Sequence, residues 1–239
     1  MTAKRRYTVT YNEMTRSALS RRLLLTLTVG LAAATLTGRA ASDTPQALAE
    51  AIQRRYEQIR DFRADFTHSY EGGVLRRKTV ERGQMVIRKP GRMRWTYTSP
   101  EQKVFVSDGV KLYSYVPADK QVYVATVPTG DDASTPALFL AGKGNIARDF
   151  TATPAAPAGA PEGSVALKLT PLRQEREYET LVLVVDRATL AWRMLVTADR
   201  QGGTSTFAFS NLRENTGVAD KEFVFSIPRG VDVITDAGR

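Results

Sequence analysis

The sequence predicts a mainly β protein built on one antiparallel sheet, and three observations predict it. First, residues 84–98 alternate with period two. Met85, Ile87, Met93, Trp95 and Tyr97 fall on one face, while Gln84, Arg88, Arg92, Arg94, Thr96 and Thr98 fall mostly on the other. Second, turn signals cut this run into strands. Pro90-Gly91, Ser99-Pro100 and Asp108-Gly109 follow one another, and Asp-Gly suits a hairpin because both residues tolerate positive φ. Third, further strand-like runs recur through 164–171, 178–186, 191–199, 203–212 and 222–227. The sum is about ten or eleven strands and two helical segments, too large a sheet to stay flat, so it must curl.

The chain opens on a leader. Arg21-Arg22 precede an apolar stretch from Leu23 to Leu36, and Gly38-Arg39-Ala40 fits a small-x-small cleavage pattern. Residues 1–40 are therefore expected to be a signal peptide, with 41–239 as the mature domain. Ser20-Arg21-Arg22 carries part of a twin-arginine pattern, and Met14 offers an alternative start. The apolar stretch is short, and too rich in Thr and Gly for a transmembrane helix.

Thr44 and Pro45 then start a helix, in which Leu48, Ile52, Tyr56 and Ile59 recur at helical spacing. At Asp61 the period switches to two: Phe62, Ala64, Phe66, His68 and Tyr70 share a face. Glu71-Gly72-Gly73 turns the chain into a strand through Val80 to Ile87. Residues 126–136 read as a loop and Ala137–Ala141 as a short helix ended by Gly142. The Pro/Ala/Gly-rich stretch 151–163 reads as a solvated connection.

Charge and composition exclude several functions. The chain of 239 residues has a formal net charge of +9, but residues 1–40 hold seven basic residues and one acidic one. Beyond them 27 basic and 24 acidic residues leave only +3, so a nucleic-acid partner is not expected. There is no cysteine, hence neither a disulfide nor a site for lipid attachment at an N-terminal Cys. His68 is the one histidine, there is no G-x-S-x-G, and His68 falls on an apolar face. One His without Cys is a poor zinc set. Gly142-Lys143-Gly144-Asn145 lacks P-loop spacing, and Asp131-Asp132 reads as a solvated loop. No catalytic residue, metal or cofactor is expected, and the chain reads as a binding protein rather than an enzyme.

The same strands carry a family resemblance. K-P-G-R-M-R-W at 89–95, Y-T-S-P at 97–100, V-S-D-G at 106–109, Y-V-P at 115–117, Q-V-Y-V at 121–124, T-P-A-L-F-L at 135–140 and F-V-F-S-I-P-R-G-V at 223–231 resemble the periplasmic lipoprotein-carrier family of the LolA type, in order and spacing, over about 44–235. The resemblance implies an incomplete β-barrel whose helices cover the concave side. It implies a soluble, monomeric periplasmic carrier for acylated lipoproteins, working between an ATP-driven inner-membrane releasing complex and an outer-membrane acceptor lipoprotein. A carrier or sensor of free lipids or glycolipids, and a structural envelope protein with a filled sheet, are the alternatives.

Phe62, Phe66, Met85, Ile87, Met93, Trp95, Tyr97, Met194 and Phe207 are the candidate acyl-chain residues. Their alternation alone fits a packed core equally well. Their Met and aromatic content favours an adaptable cavity, and the resemblance implies that acyl chains bind there. Trp192 alternates onto the same apolar face as Met194 but is not among these candidates, and serves as the control for Trp95. Leu138, Phe139 and Leu140 form the candidate lid. Lys89 stands before Pro90 where the resembled family commonly has Arg, which fastens the lid there; Lys lacks the bidentate geometry of Arg, so three outcomes stay open: a weaker latch at Lys89, a latch moved to its neighbour Arg88, or no latch here.

Overall fold

The computed structural model describes residues 44–72, 78–127, 136–175 and 177–235. The expected signal peptide and the alternative start at Met14 lie outside them. From Pro45 onward the chain forms one compact unit.

Helix α1 (Pro45–Glu57) comes first and buries Ala49, Ile52 and Tyr56 along one stripe. Strands β1 (Asp61–Glu71), β2 (Lys78–Arg88), β3 (Arg92–Ser99), β4 (Lys103–Asp108), β5 (Lys111–Val116) and β6 (Gln121–Thr126) follow as an antiparallel meander. Two short helices, α2 (Pro136–Leu140) and α3 (Ile146–Asp149), lead to β7 (Phe150–Ala155). Strands β8 (Ser164–Pro171), β9 (Thr180–Asp186), β10 (Trp192–Ala198) and β11 (Thr204–Glu214) return the chain to the open side of β1. The last strand is β12 (Asp232–Thr235).

All twelve strands belong to one sheet, in the order β12-β6-β5-β4-β3-β2-β1-β11-β10-β9-β8-β7. Its two end strands, β12 and β7, do not pair with each other, so the barrel is incomplete. The concave face carries one large apolar cluster, into which Ile52 and Tyr56 of α1 and Phe139 and Leu140 of α2 also pack.

Three expectations are corrected. Residues 222–227 are not a strand: a single 3₁₀ turn (Asp220–Phe223) and an extended segment cross the outer face of β3 and β4 instead. Arg94 explains this, because its guanidinium donates to Glu222 O at 2.6 Å and Val224 O at 2.9 Å. Those carbonyls therefore bond a side chain rather than a ladder. Second, the sheet is not wholly antiparallel, since β12 pairs with β6 in parallel. Third, the connection expected at 151–163 begins as strand β7. Pro154 is tolerated there because β7 is an end strand and needs no second ladder bond.

One glycine is required by close approach. A Cβ at Gly83 of β2 would lie 2.1 Å from Thr96 O and 2.8 Å from Phe66 Cζ. The bare backbone lets the Phe66 ring lie across β2 and meet Trp95 and Tyr97 edge-on, at centroid distances of 5.1 and 4.8 Å.

Candidate functional site

The concave face is filled at one end and hollow at the other. Near the start of β1, Tyr56 of α1 lies against Trp192 (centroids 4.9 Å apart), and Phe139 of α2 against Trp192 and Phe150 (5.6 and 5.8 Å). Towards the other end of β1 the sheet lines a half-open cavity of about 580 Å³, within the roughly 300–1,000 Å³ of small-molecule sites. Met93, Trp95, Tyr97, Phe105, Leu112 and Phe207 make its apolar wall, and Pro136 and Ala137 of α2 border it.

Of the expected acyl-chain residues, Met93, Trp95, Tyr97 and Phe207 line this cavity. Phe62, Phe66, Met85 and Ile87 lie in the same buried cluster but not among the lining residues. Met194 is the exception. It packs on the opposite face with Ala166 and Val184, whereas Trp192 and Leu195 belong to the concave cluster. An irregularity in the β9–β10 register between Trp192 and Met194 is the cause. One extra residue breaks the alternation, so positions two apart no longer share a face. Met194 is thus removed from the concave set, while Trp192 lies on the concave face at its filled end and not among the cavity-lining residues.

The lid candidates are tied down by Tyr56, a residue the sequence reading used only as a helix stripe. The Tyr56 hydroxyl donates to Leu140 O. Phe139 and Leu140 are buried, while the side chain of Leu138 lies outside what the structure describes. Gly91 N donates to Ala141 O at 2.9 Å, joining the β2–β3 turn to the end of α2. Burial pushes the Tyr56 phenol up, so it stays a donor.

Lys89 sits at this junction. Its Nζ donates to Tyr56 O and lies 3.9 Å from the centroid of the Tyr56 ring. Burial lowers its pKa to about 8, opposed by the negative charge of Glu57. Its stem runs beneath Gly142, where a Cβ would come 2.5 Å from Lys89 Cδ; the φ of +83° there also favours glycine. Arg88 is placed elsewhere. It donates to Val218 O at 3.1 Å and to Asp220 at 2.7 Å, with Arg92 on the same carboxylate. Arg88 therefore holds the C-terminal segment, not the lid.

The cavity also has a polar rim that sequence reading did not foresee. His68, Glu177, Thr197, Asp199 and Ser205 border it, drawn from β1, β10, the start of β11 and the segments flanking β9 and β10. The His68 ring is stacked on Phe207, 4.1 Å between centroids and 3° from parallel. Its Nδ1 lies 3.3 Å from Glu81 and its Nε2 3.2 Å from Ser205 Oγ. Burial lowers the His68 pKa despite the neighbouring Glu81 carboxylate. Among the described residues, no group of three or more His, Cys, Asp or Glu side chains is placed to hold a metal ion. No described helix is long and apolar enough to cross a membrane.

Comparison with known proteins agrees with this architecture. An outer-membrane lipoprotein carrier protein of Chromohalobacter salexigens is 30% identical over 190 residues, covering 80% of this chain and 88% of that protein. One from Methylococcus capsulatus is 31% identical over 196 residues, covering 82% and 90%. An uncharacterized conserved protein from Thermus thermophilus shares the fold with a TM-score of 0.50 and 12% identity, over 79% of this chain and 99% of that one. The family model described as outer membrane lipoprotein carrier protein LolA matches residues 57–226. On that match and those identities, the chain belongs to the LolA family of outer membrane lipoprotein carriers.

Proposed function

We propose that the protein is a periplasmic carrier, exported by its leader, that shields the acyl chains of lipoproteins between the inner and outer membranes. The observation that carries this reading is the apolar cavity of about 580 Å³ on the concave face of an unclosed sheet, in a chain of the carrier family. A chain on the order of 16 carbons gains roughly 12 kcal/mol when its CH₂ groups leave water, at about 0.8 kcal/mol each. A soluble carrier must offset most of that and still release the chain.

Helix α2 supplies the release in this reading. Pro136 and Ala137 border the hollow, while Phe139 and Leu140 occupy the filled end beside Trp192. Outward movement of α2 joins the two regions and admits acyl chains to Phe62, Phe66, Met85 and Ile87. Return of α2 competes with the ligand. Lys89, through Tyr56, favours the closed position. The donor is an ATP-driven inner-membrane complex and the recipient an outer-membrane acceptor lipoprotein, both consistent with the family.

The test is release of lipoprotein from membranes. Purified mature protein is added to spheroplasts, and the supernatant is probed for a triacylated lipoprotein. A soluble complex of the two, at the stoichiometry of a monomeric carrier, is expected. A supernatant without lipoprotein, under conditions in which a known carrier of the family extracts it, overturns the reading.

A further inference from the structure

The polar rim has a proton arrangement that its hydrogen bonds determine. The Glu81 carboxylate is bridged by the Lys103 ammonium. A carboxylate only accepts, so the His68 Nδ1 beside it carries the proton. Burial keeps the ring neutral, which leaves Nε2 as a bare lone pair. That lone pair takes the one proton of the Ser205 hydroxyl. The relay Lys103–Glu81–His68–Ser205 thereby turns Ser205 into an acceptor towards the cavity.

Glu177 and Asp199 add two carboxylates to the same rim. Asp199 uses Oδ1 for its own turn, accepting from Gln201 N and Gly203 N at 2.8 Å each, and its Oδ2 remains. Among the described residues no cation pairs with Glu177 or Asp199, in contrast to Glu81. Thr197, the cross-strand partner of Ser205, supplies a hydroxyl able to donate or accept.

On the carrier reading above, we infer that this rim selects acylated ligands whose head donates a hydrogen bond, an amide N–H or an ammonium beside the acyl chain, over heads that only accept or carry negative charge. The apolar wall takes the chain whatever its head. An amide then matches the rim on both sides, its N–H to Ser205 or a carboxylate and its C=O to the Thr197 hydroxyl. An ester finds only the second of these, and a free carboxylate meets two like charges.

The experiment is a displacement series at constant chain length. The mature protein is loaded with the apolar fluorophore N-phenyl-1-naphthylamine. Hexadecanamide, hexadecylamine, methyl hexadecanoate and hexadecanoate then compete for it below their aggregation concentrations. The amide is expected to displace the probe at about tenfold lower concentration than the methyl ester, a neutral pair that isolates the donated hydrogen bond. The amine should also exceed the ester, and hexadecanoate should be weakest. In Ser205→Ala and Glu177→Gln the spread should shrink, while fluorophore uptake reports that the cavity is still formed. Equal displacement by all four ligands in the wild type, or an undiminished spread in both variants, overturns the inference and leaves the carrier reading standing. Failure of the wild type to take up the fluorophore overturns both.

Discussion

Tyr56 joins three parts of the concave side: its backbone carbonyl accepts from Lys89, its ring lies beneath that ammonium, and its hydroxyl holds Leu140 O. Burial is what makes Lys89 a sensitive member of this set. Its ammonium has a pKa near 8 in the folded protein against an ordinary value of 10.5. Between those values the unfolded chain holds a proton that the folded chain has shed, so stability rises with pH across that window. Below about 8 both states are protonated and the burial cost is felt in full. The wild type should therefore gain stability relative to Lys89→Met as pH is raised from 8 towards 10, with a constant difference between pH 6 and 7.5. Urea midpoints of the two proteins at each pH check this, and a difference that stays flat to pH 10 would mean that Lys89 is solvated. Trp95 offers a second readout. Its ring lies on the cavity wall, so a fatty-acyl probe should change emission in the wild type and much less in Trp95→Phe. Trp192 reports something else, since it lies against Tyr56 and Phe139. Its emission in Trp95→Phe should change only if α2 moves. Equal responses from the wild type and Trp95→Phe would place the ligand away from Trp95.

At the scale of elements, the C-terminal segment is held by side chains rather than by a sheet ladder. Arg94 bonds two of its carbonyls, Arg88 a third, and Phe225 packs on the rings of Tyr113 and Tyr115. Arg94→Ala leaves those carbonyls with water alone and should cost about 1–3 kcal/mol, as for hydrogen bonds to a charged group. It should also expose Phe225 to limited proteolysis. Unchanged urea midpoints and cleavage rates would show that the segment is held by other contacts. This arrangement marks a boundary of what the sequence reveals. F-V-F-S-I alternates as a strand does, and alternation says nothing about whether an arginine on the next layer will claim the carbonyls. The bulge in β10 sets a similar limit: Trp192 and Met194 have the spacing of a shared face, and a register shift puts them on opposite ones. By contrast β1, β2 and β3 were legible at each inward residue, because Phe62, Phe66, Met85, Ile87, Met93, Trp95 and Tyr97 alternate without interruption and are all buried. The cavity was legible only in part. Met93, Trp95 and Tyr97 follow from parity, but Glu177, Asp199 and Ser205 meet through strand pairing across long sequence distances, which no local pattern encodes.

In the proposed mechanism, two occupants compete for one concave surface, the helix α2 and an acyl chain. The filled end holds Phe139 and Leu140 against Tyr56 and Trp192, and the hollow end is already open to a ligand. On that proposal, cargo is released because closing α2 regains buried contacts that the cargo had displaced. Weakening the closed state should therefore affect uptake and delivery differently. Lys89→Leu removes the bond to Tyr56 O while keeping an apolar stem beneath Gly142. If that contact favours the closed state by about 1.4 kcal/mol, its loss shifts the ratio of open to closed forms about tenfold. Uptake needs only an accessible surface, so Lys89→Leu should extract lipoprotein from spheroplasts at least as well as the wild type. Delivery draws on the closing tendency, so transfer from the loaded variant to an outer-membrane acceptor should fall by about the same tenfold. Arg88→Leu serves as the comparison: its bonds run to Val218 and Asp220 on the other side of the sheet, so it should load and deliver normally at a modest cost in stability. A two-step assay, with extraction measured first and delivery second, separates these effects. Normal delivery by Lys89→Leu would remove Lys89 from the release step and leave Tyr56, through its bond to Leu140 O, as the tie that holds α2.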